Sequence, residues 1–148
     1  MQTLAQLISG QYSNLSHLTL REDLTEFPKA IFSLAHSLEV LDLSNNHLTD
    51  LPDELACLKK LRILFLTNNH FEHIPAVLAR CPQLEMISFK SNKLKSVDEN
   101  VLPIKTRWLI LTDNKITSLP DSMGELSVLQ KFAFAGNQLQ GIPNSMQN

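Results

Sequence analysis

Apolar and polar residues alternate in short stretches of this chain. Each stretch is followed by a segment without this alternation, which in most cases contains a proline. LEVLDLSNNHL, from Leu38 to Leu48, places Leu41 and Leu43 on one side of a two-residue period. Such alternation predicts a short β-strand with one buried face. The next segment, LPDELACL from Leu51, contains a proline, which fixes φ and is typical of a change in chain direction. We therefore predict a strand followed by an irregular return segment.

The same pattern recurs at a nearly constant period. LRILFLTNNHF, LEMISFKSNKL, TRWLILTDNKI and LQKFAFAGNQL align with the first stretch, and a less regular copy begins at Leu15. A period of this length predicts a solenoid whose neighbouring coils bury one continuous apolar column. The five regular copies share an asparagine at steps of 23, 23, 22 and 23 residues: Asn46, Asn69, Asn92, Asn114 and Asn137.

These motifs resemble the leucine-rich repeat, in which LxxLxLxxNxL is followed by xxLPxxLxxL. The resemblance covers everything after about residue 14 and implies an α/β fold. The expected architecture is a curved, horseshoe-like solenoid with a concave parallel β-sheet and irregular or 3-10 segments on the convex side. We expect a capping helix in residues 1–14 and about six repeats in residues 15–148, the last one incomplete.

Several repeated residues are expected to build the scaffold. Each aligned asparagine can satisfy backbone groups in the tight loop after a strand, so these residues form a predicted structural ladder. One copy carries Asp98 where others have proline and is a residue shorter, which predicts an irregular outer segment. Cys81 is expected to be buried in a column with Leu34, Leu58, Ile104 and Leu126.

The two ends of the chain differ. Thr3 and Gln6 form a capping-box pattern, and Leu4, Leu7 and Ile8 predict the apolar face of a short helix over the first coil. The last coil is apolar and has no polar cap, although solenoids need one. This predicts either a longer protein or self-association through the coil that carries Leu129, Phe132, Phe134, Leu139 and Ile142.

The outward-facing strand positions form the candidate binding site. Two rows cross the predicted sheet: His17, Val40, Ile63, Met86, Trp108, Lys131, and Thr19, Asp42, Phe65, Ser88, Ile110, Ala133. Contiguous exposed apolar residues often mark interaction sites, although such residues also suit any strand face. Basic residues, Lys90, Lys93, Arg107 and Lys115, are expected beside them, so an acidic segment on the partner would fit. The predicted partner-binding residues are Val40, Ile63, Phe65, Met86, Lys90, Trp108 and Ile110.

Composition narrows the remaining classes. The chain has 148 residues, 43% of them hydrophobic, and a net charge of −2, which fits one domain and does not favour nucleic-acid binding. It lacks an apolar run of about 20 residues and a signal-peptide pattern, so we expect neither membrane insertion nor export. Cys57 and Cys81 form no metal motif and fit a cytoplasmic location. His47, His70 and His73 are too few for a zinc set, and no metal or cofactor is expected.

The sequence favours a non-catalytic protein-interaction module, because it contains no phosphate loop, carboxylate pair or nucleophile set on a plausible common site. An alternative comes from a resemblance to the repeat domains of bacterial-type leucine-rich-repeat protein kinases, carried by Glu85, Met86, Phe89, Lys90, Trp108, Thr112 and Asp113. It implies substrate recruitment or regulation of a kinase domain outside this chain. The 23-residue Leu-Pro repeat is also similar to that of intracellular Ras-group-related repeat proteins, which act as signalling scaffolds.

Overall fold

Six short strands form a single parallel sheet in the computed structural model, which describes residues 2–146. Neighbouring strands in the sheet follow one another along the chain, so each coil adds one strand beside the last. The predicted solenoid with a concave parallel sheet is therefore confirmed. The strands are β1 (His17–Thr19), β2 (Val40–Asp42), β3 (Ile63–Phe65), β4 (Met86–Ser88), β5 (Trp108–Ile110) and β6 (Lys131–Ala133).

Most coils return through a short 3-10 helix on the side away from the sheet. Pro28, Pro52, Pro75 and Pro120 immediately precede four of these helices, with φ values of −70°, −74°, −61° and −75°. These angles match the φ that a proline ring imposes, so the prolines favour this exit from the loop. The 3-10 helices are Lys29–Leu34, Asp53–Cys57, Ala76–Arg80, Asp121–Glu125 and Asn144–Met146.

The core lies between the sheet and the return segments. Leucines at the inward strand positions, such as Leu41 and Leu64, have no solvent-exposed surface. Phe71 and Phe89 meet edge to face, with their ring centroids 5.2 Å apart. A single coil could not bury these side chains alone, so stacking supplies most of the hydrophobic stabilisation.

The aligned asparagines join successive coils through their side-chain amides. Asn69 donates from Nδ2 to the carbonyl oxygens of Leu43 (3.0 Å) in the preceding coil and Leu66 (3.2 Å) in its own. Its Oδ1 accepts the backbone N–H of Leu48 at 3.0 Å. One side chain thereby satisfies three buried backbone groups. The same pattern holds at Asn46, Asn92, Asn114 and Asn137.

The residue before each of these asparagines has a left-handed backbone conformation. Its φ is 61° at Asn45, 56° at Asn68, 57° at Ser91, 61° at Asp113 and 73° at Gly136. Asparagine, aspartate and glycine tolerate positive φ better than most residues do. This explains the asparagine, aspartate or glycine at four of the five positions, and Ser91 is the exception.

Helix α1 (Leu4–Ile8) covers the first coil. Thr3 and Gln6 form the predicted capping box, and Leu7 is buried. Ile8, however, is 67% exposed, so the prediction that it would pack with Leu4 and Leu7 was wrong. Gln2 also bonds to β1, donating to the His17 carbonyl and accepting from the Thr19 N–H.

The 22-residue copy has an irregular outer segment, as predicted: residues 98–105 form no 3-10 helix. The placement of Ile104 in the buried column was wrong, because its side chain is 68% exposed. Pro103 is buried instead, and its carbonyl accepts the backbone N–H of Thr106, as the Cys81 carbonyl does for Leu84. In the shorter repeat, Pro103 therefore takes the buried position that was predicted for Ile104, one residue earlier in the chain.

The last described coil is more exposed than those before it. Leu129 and Phe132 are half-buried, whereas the equivalent Leu61 and Leu64 are fully buried. Phe132 and Phe134 pack on each other, with ring centroids 4.8 Å apart. The apolar side chains of this coil are thus only partly exposed, whereas the sequence predicted that they would face water or a neighbour.

Replacing a ladder asparagine should destabilise the fold much more than replacing its exposed neighbour. Asn92→Ala leaves the carbonyl oxygens of Leu66 and Phe89 and the N–H of Phe71 without this partner. We expect a loss of about 3 kcal/mol in the free energy of unfolding, measured by urea denaturation. The matched variant Lys93→Ala should change it by less than about 0.5 kcal/mol. Similar midpoints for both variants would contradict the structural role of the ladder.

The two cysteines should differ sharply in reactivity. Burial raises the pKa of the Cys81 thiol to about 11, which keeps it protonated near neutral pH, whereas Cys57 is exposed. Since the thiolate is the reactive form, a disulfide reagent at pH 8 should modify one thiol quickly and the second only after denaturation. A Cys57→Ser variant should lose the fast phase. Two fast phases in the native wild-type protein would refute this assignment.

Candidate binding surface on the concave sheet

The strand register brings the predicted binding residues together. Val40 pairs with Ile63, Ile63 with Met86, and Met86 with Trp108. Phe65 and Ile110 lie two positions further along their strands, on the same face. We define these residues as the concave patch: Val40, Ile63, Phe65, Met86, Trp108 and Ile110.

Two aromatic side chains are the most exposed members of the concave patch. Trp108 is 41% exposed and Phe65 is 38% exposed, whereas the other four residues are half-buried. An exposed large apolar side chain within a contiguous row is the arrangement that interaction sites commonly show. The concave patch therefore has two partly exposed aromatic side chains, on β3 and β5, with a half-buried aliphatic surface beside them.

Ser88 lies on β4 between Phe65 and Ile110 of the neighbouring strands. The alternation of inward and outward side chains along a strand predicts that Ser88 is exposed. It is only 5% exposed. Its hydroxyl lies 3.0 Å from Thr67 Oγ1 and accepts the backbone N–H of Lys90 at 3.3 Å. The hydroxyl is satisfied internally, so it does not interrupt the apolar surface with an unpaired polar group.

Ionic pairs border the concave patch at the start of the strands. Arg62 Nε lies 3.1 Å from Glu39 Oε1, and Arg62 also contacts Glu85 Oε1 at 3.5 Å. These side chains are partly exposed, so the pairs add little stability. Their consequence is electrostatic: the charge of Arg62 is compensated, and this border carries little free positive charge near β3.

Uncompensated positive charge gathers at the β4 to β6 end. Lys131 Nζ lies 5.1 Å from the centroid of the Trp108 ring, within the range of a cation–π contact. Arg107 donates to the neutral side chain of Gln130 at 3.2 Å. Within residues 2–146, Lys90, Arg107 and Lys131 form no ion pair. Sequence reasoning placed Lys131 beside Trp108 at the end of the row, but it did not predict the contact with the ring, which depends on side-chain conformation.

Lys93 and Lys115 belong to a different row, in the loops beyond the strands. They are equivalent to His47 and His70 of earlier coils, because the backbone N–H of each of these residues donates to a carbonyl oxygen of the preceding coil. The His47 and His70 rings are 5.1 Å apart, close to the predicted strand spacing. In the part of the chain that the structure describes, no three His, Cys, Asp or Glu side chains are grouped to hold a metal ion.

Comparisons with known proteins agree with this architecture. Residues 13–71 match the family model described as leucine rich repeat. Among curated protein sequences, none matches the chain. Between residues 2 and 146, no helix has the length and apolar character that crossing a membrane requires.

Solved structures match over most of the chain. The plant peptide hormone receptor RGFR1, solved in complex with RGF2, is 31% identical with a TM-score of 0.75 over 90% of this chain and 22% of the receptor. The leucine-rich repeat domain of the type III effector XopL is 25% identical with a TM-score of 0.76, over 90% of this chain and 49% of that domain.

A leucine-rich repeat protein of Leptospira interrogans is 27% identical, with a TM-score of 0.64 over 86% of this chain and 39% of that protein. The chain thus spans between about a fifth and a half of these relatives. The family match, the six parallel strands and these structural neighbours together identify the chain as one that folds as a leucine-rich repeat protein.

Proposed function

We propose that this chain is a non-catalytic protein-interaction module that binds a protein partner on the concave patch. The observation that carries the proposal is the parallel register that sets Ile63, Met86 and Trp108 side by side. Solenoids present such extended concave surfaces for binding. Leucine-rich repeat folds typically serve as interaction modules, and the similar receptor structure contains a bound partner, RGF2.

Trp108 is the proposed anchor of the interface. Aromatic residues dominate the binding energy of protein interfaces, because they bury a large apolar area with few rotatable bonds. Lys131 Nζ lies over the Trp108 ring, so a partner that covers Trp108 would also meet this positive charge. A partner that covers Trp108 and Phe65 would remove two half-exposed aromatic surfaces from water.

The charge beside the anchor favours an acidic segment on the partner. Among residues 2–146, no carboxylate pairs with Lys90, Arg107 or Lys131 at the β4 to β6 end. At the other end, the charge of Arg62 is compensated by Glu39 and Glu85. A partner carrying Asp or Glu beside an apolar residue would therefore bind in one direction along the patch.

We also propose a cytoplasmic setting, which two free thiols support. Cys57 is exposed and Cys81 is buried, and both are unpaired cysteines. Reducing compartments keep such thiols free.

The alternative is a recruiting or regulatory role beside a protein kinase domain that lies outside this chain. Met86, Lys90 and Trp108, which carry part of that resemblance, belong to the concave surface, where a recruited substrate would bind. Phe89 is in the core and supports only the fold. Sequencing the reading frame downstream of Asn148 decides between the two roles, since a kinase domain would have to follow there.

The concave patch can be tested by affinity capture from the source lysate with quantitative mass spectrometry. Trp108→Ala should reduce recovery of specific partners about tenfold, because it removes the central aromatic contact. Ile8→Ala is the matched control, since Ile8 is a large apolar residue that is exposed on helix α1, away from the sheet.

Both variants should retain the wild-type urea midpoint, because neither side chain is buried. A double variant, Lys90→Glu with Arg107→Glu, should further separate charge from apolar contact by weakening capture mainly at low salt. Equal recovery by wild type and folded Trp108→Ala would rule out the concave patch as the binding surface.

A further inference from the structure

A second concave feature lies on the side of the coils away from the sheet. It is a groove of about 200 Å³ between the 3-10 helices Ala76–Arg80 and Asp121–Glu125. The intervening 22-residue coil supplies no 3-10 helix there, so a gap remains in the convex wall. We call it the convex groove; residues that line it include Ala79, Val101, Leu102, Ile104, Met123 and Leu126, with Asp98 and Glu125 at its rim.

Specific hydrogen bonds hold the irregular segment beside the following 3-10 helix. Both carboxylate oxygens of Glu99 accept backbone N–H groups, from Asp121 and Ser122, each at 3.0 Å. Asn100 donates its backbone N–H to Ser122 Oγ at 3.0 Å. Hydrogen bonding by the Ser122 side chain lowers the pKa of Glu99, so the carboxylate stays ionised in this arrangement. The groove is therefore formed in advance of binding, which reduces the entropy cost of binding.

Apolar side chains supply about half of the surface that lines the convex groove, and polar groups supply the rest. Val101, Met123 and Leu126 are buried beneath it, with 5%, 2% and 9% of their surfaces exposed. Ile104 stands beside them at 68% exposure, the highest of the large apolar side chains in residues 2–146. An apolar side chain from a partner could pack on Ile104 and on this surface at the same time.

The charged rim of the convex groove is acidic. Asp98 and Glu125 are exposed and form no ion pair within the described residues. Of the nearby cations, Arg80 pairs with Asp53 at 3.2 Å, whereas Lys105, which does not line the groove, donates to the neutral side chain of Gln83 at 3.3 Å and keeps its charge. Like-charge repulsion therefore disfavours acidic ligands and anionic membranes at this groove.

We propose that the convex groove is a second binding surface, which takes an apolar side chain flanked by Lys or Arg in a peptide segment of a protein partner. The volume favours one or two side chains, since small-molecule pockets usually exceed about 300 Å³. The carboxylates of Asp98 and Glu125 supply charge complementarity to the flanking basic residues. This surface is independent of the concave patch and needs no residue of it.

A library of random short peptides displayed on phage provides the probe. Selection on the wild-type protein, with counter-selection on an Ile104→Ser variant, should enrich peptides with an apolar residue next to Lys or Arg. The most enriched peptide is then synthesised and titrated calorimetrically. Ile104→Ser should weaken binding about tenfold, and Asp98→Asn with Glu125→Gln should weaken it about fivefold at low salt.

Matched controls separate the groove from general surface effects. Val128→Ser removes an exposed apolar side chain outside the groove, and Glu54→Gln removes an exposed carboxylate on another coil. Both controls, and Trp108→Ala, should bind the peptide like the wild type. The proposal is overturned if no peptide is enriched, if the enriched peptides lack basic residues, or if the groove variants bind as tightly as the controls.

Discussion

Every coil of this protein depends on satisfying backbone groups that its own stacking buries. A tight loop after each strand leaves carbonyl oxygens and N–H groups away from water, where an unpaired polar group is costly. A single asparagine side chain meets that need, as Asn92 does for Leu66, Phe89 and Phe71. Because the bonds to Leu66 and Phe71 reach the preceding coil, the ladder also fixes how neighbouring coils align, and with them the rows of the concave sheet.

This dependence explains how much could be predicted from sequence. The repeat period and the alternation of apolar and polar residues predict the strands, the ladder asparagines and the outward-facing rows. Met86 and Trp108 could therefore be placed side by side from the sequence alone. One failure came where the period changed. The shorter repeat put Pro103 in the core and turned Ile104 outward, because one missing residue altered which position reaches the buried column.

The alternation of apolar and polar residues also does not predict how much of an outward-facing side chain its neighbours cover. Ser88 occupies an outward position, yet it is almost fully buried between larger residues and bonded to Thr67. Conversely, Lys131 was visible as the end of a row, but its contact with the Trp108 ring depends on side-chain conformation. The pattern thus predicts which residues share a face, while their exposure and pairing depend on size and rotamer.

Gln2 has a consequence for how other chains can approach the sheet. Its side-chain amide occupies the outward-pointing backbone groups of His17 and Thr19 at the free edge of β1. An exposed edge strand invites pairing with a further strand, which leads to β-augmentation or aggregation. A foreign strand would first have to displace Gln2 here. Backbone pairing at this edge therefore costs the two hydrogen bonds that Gln2 makes.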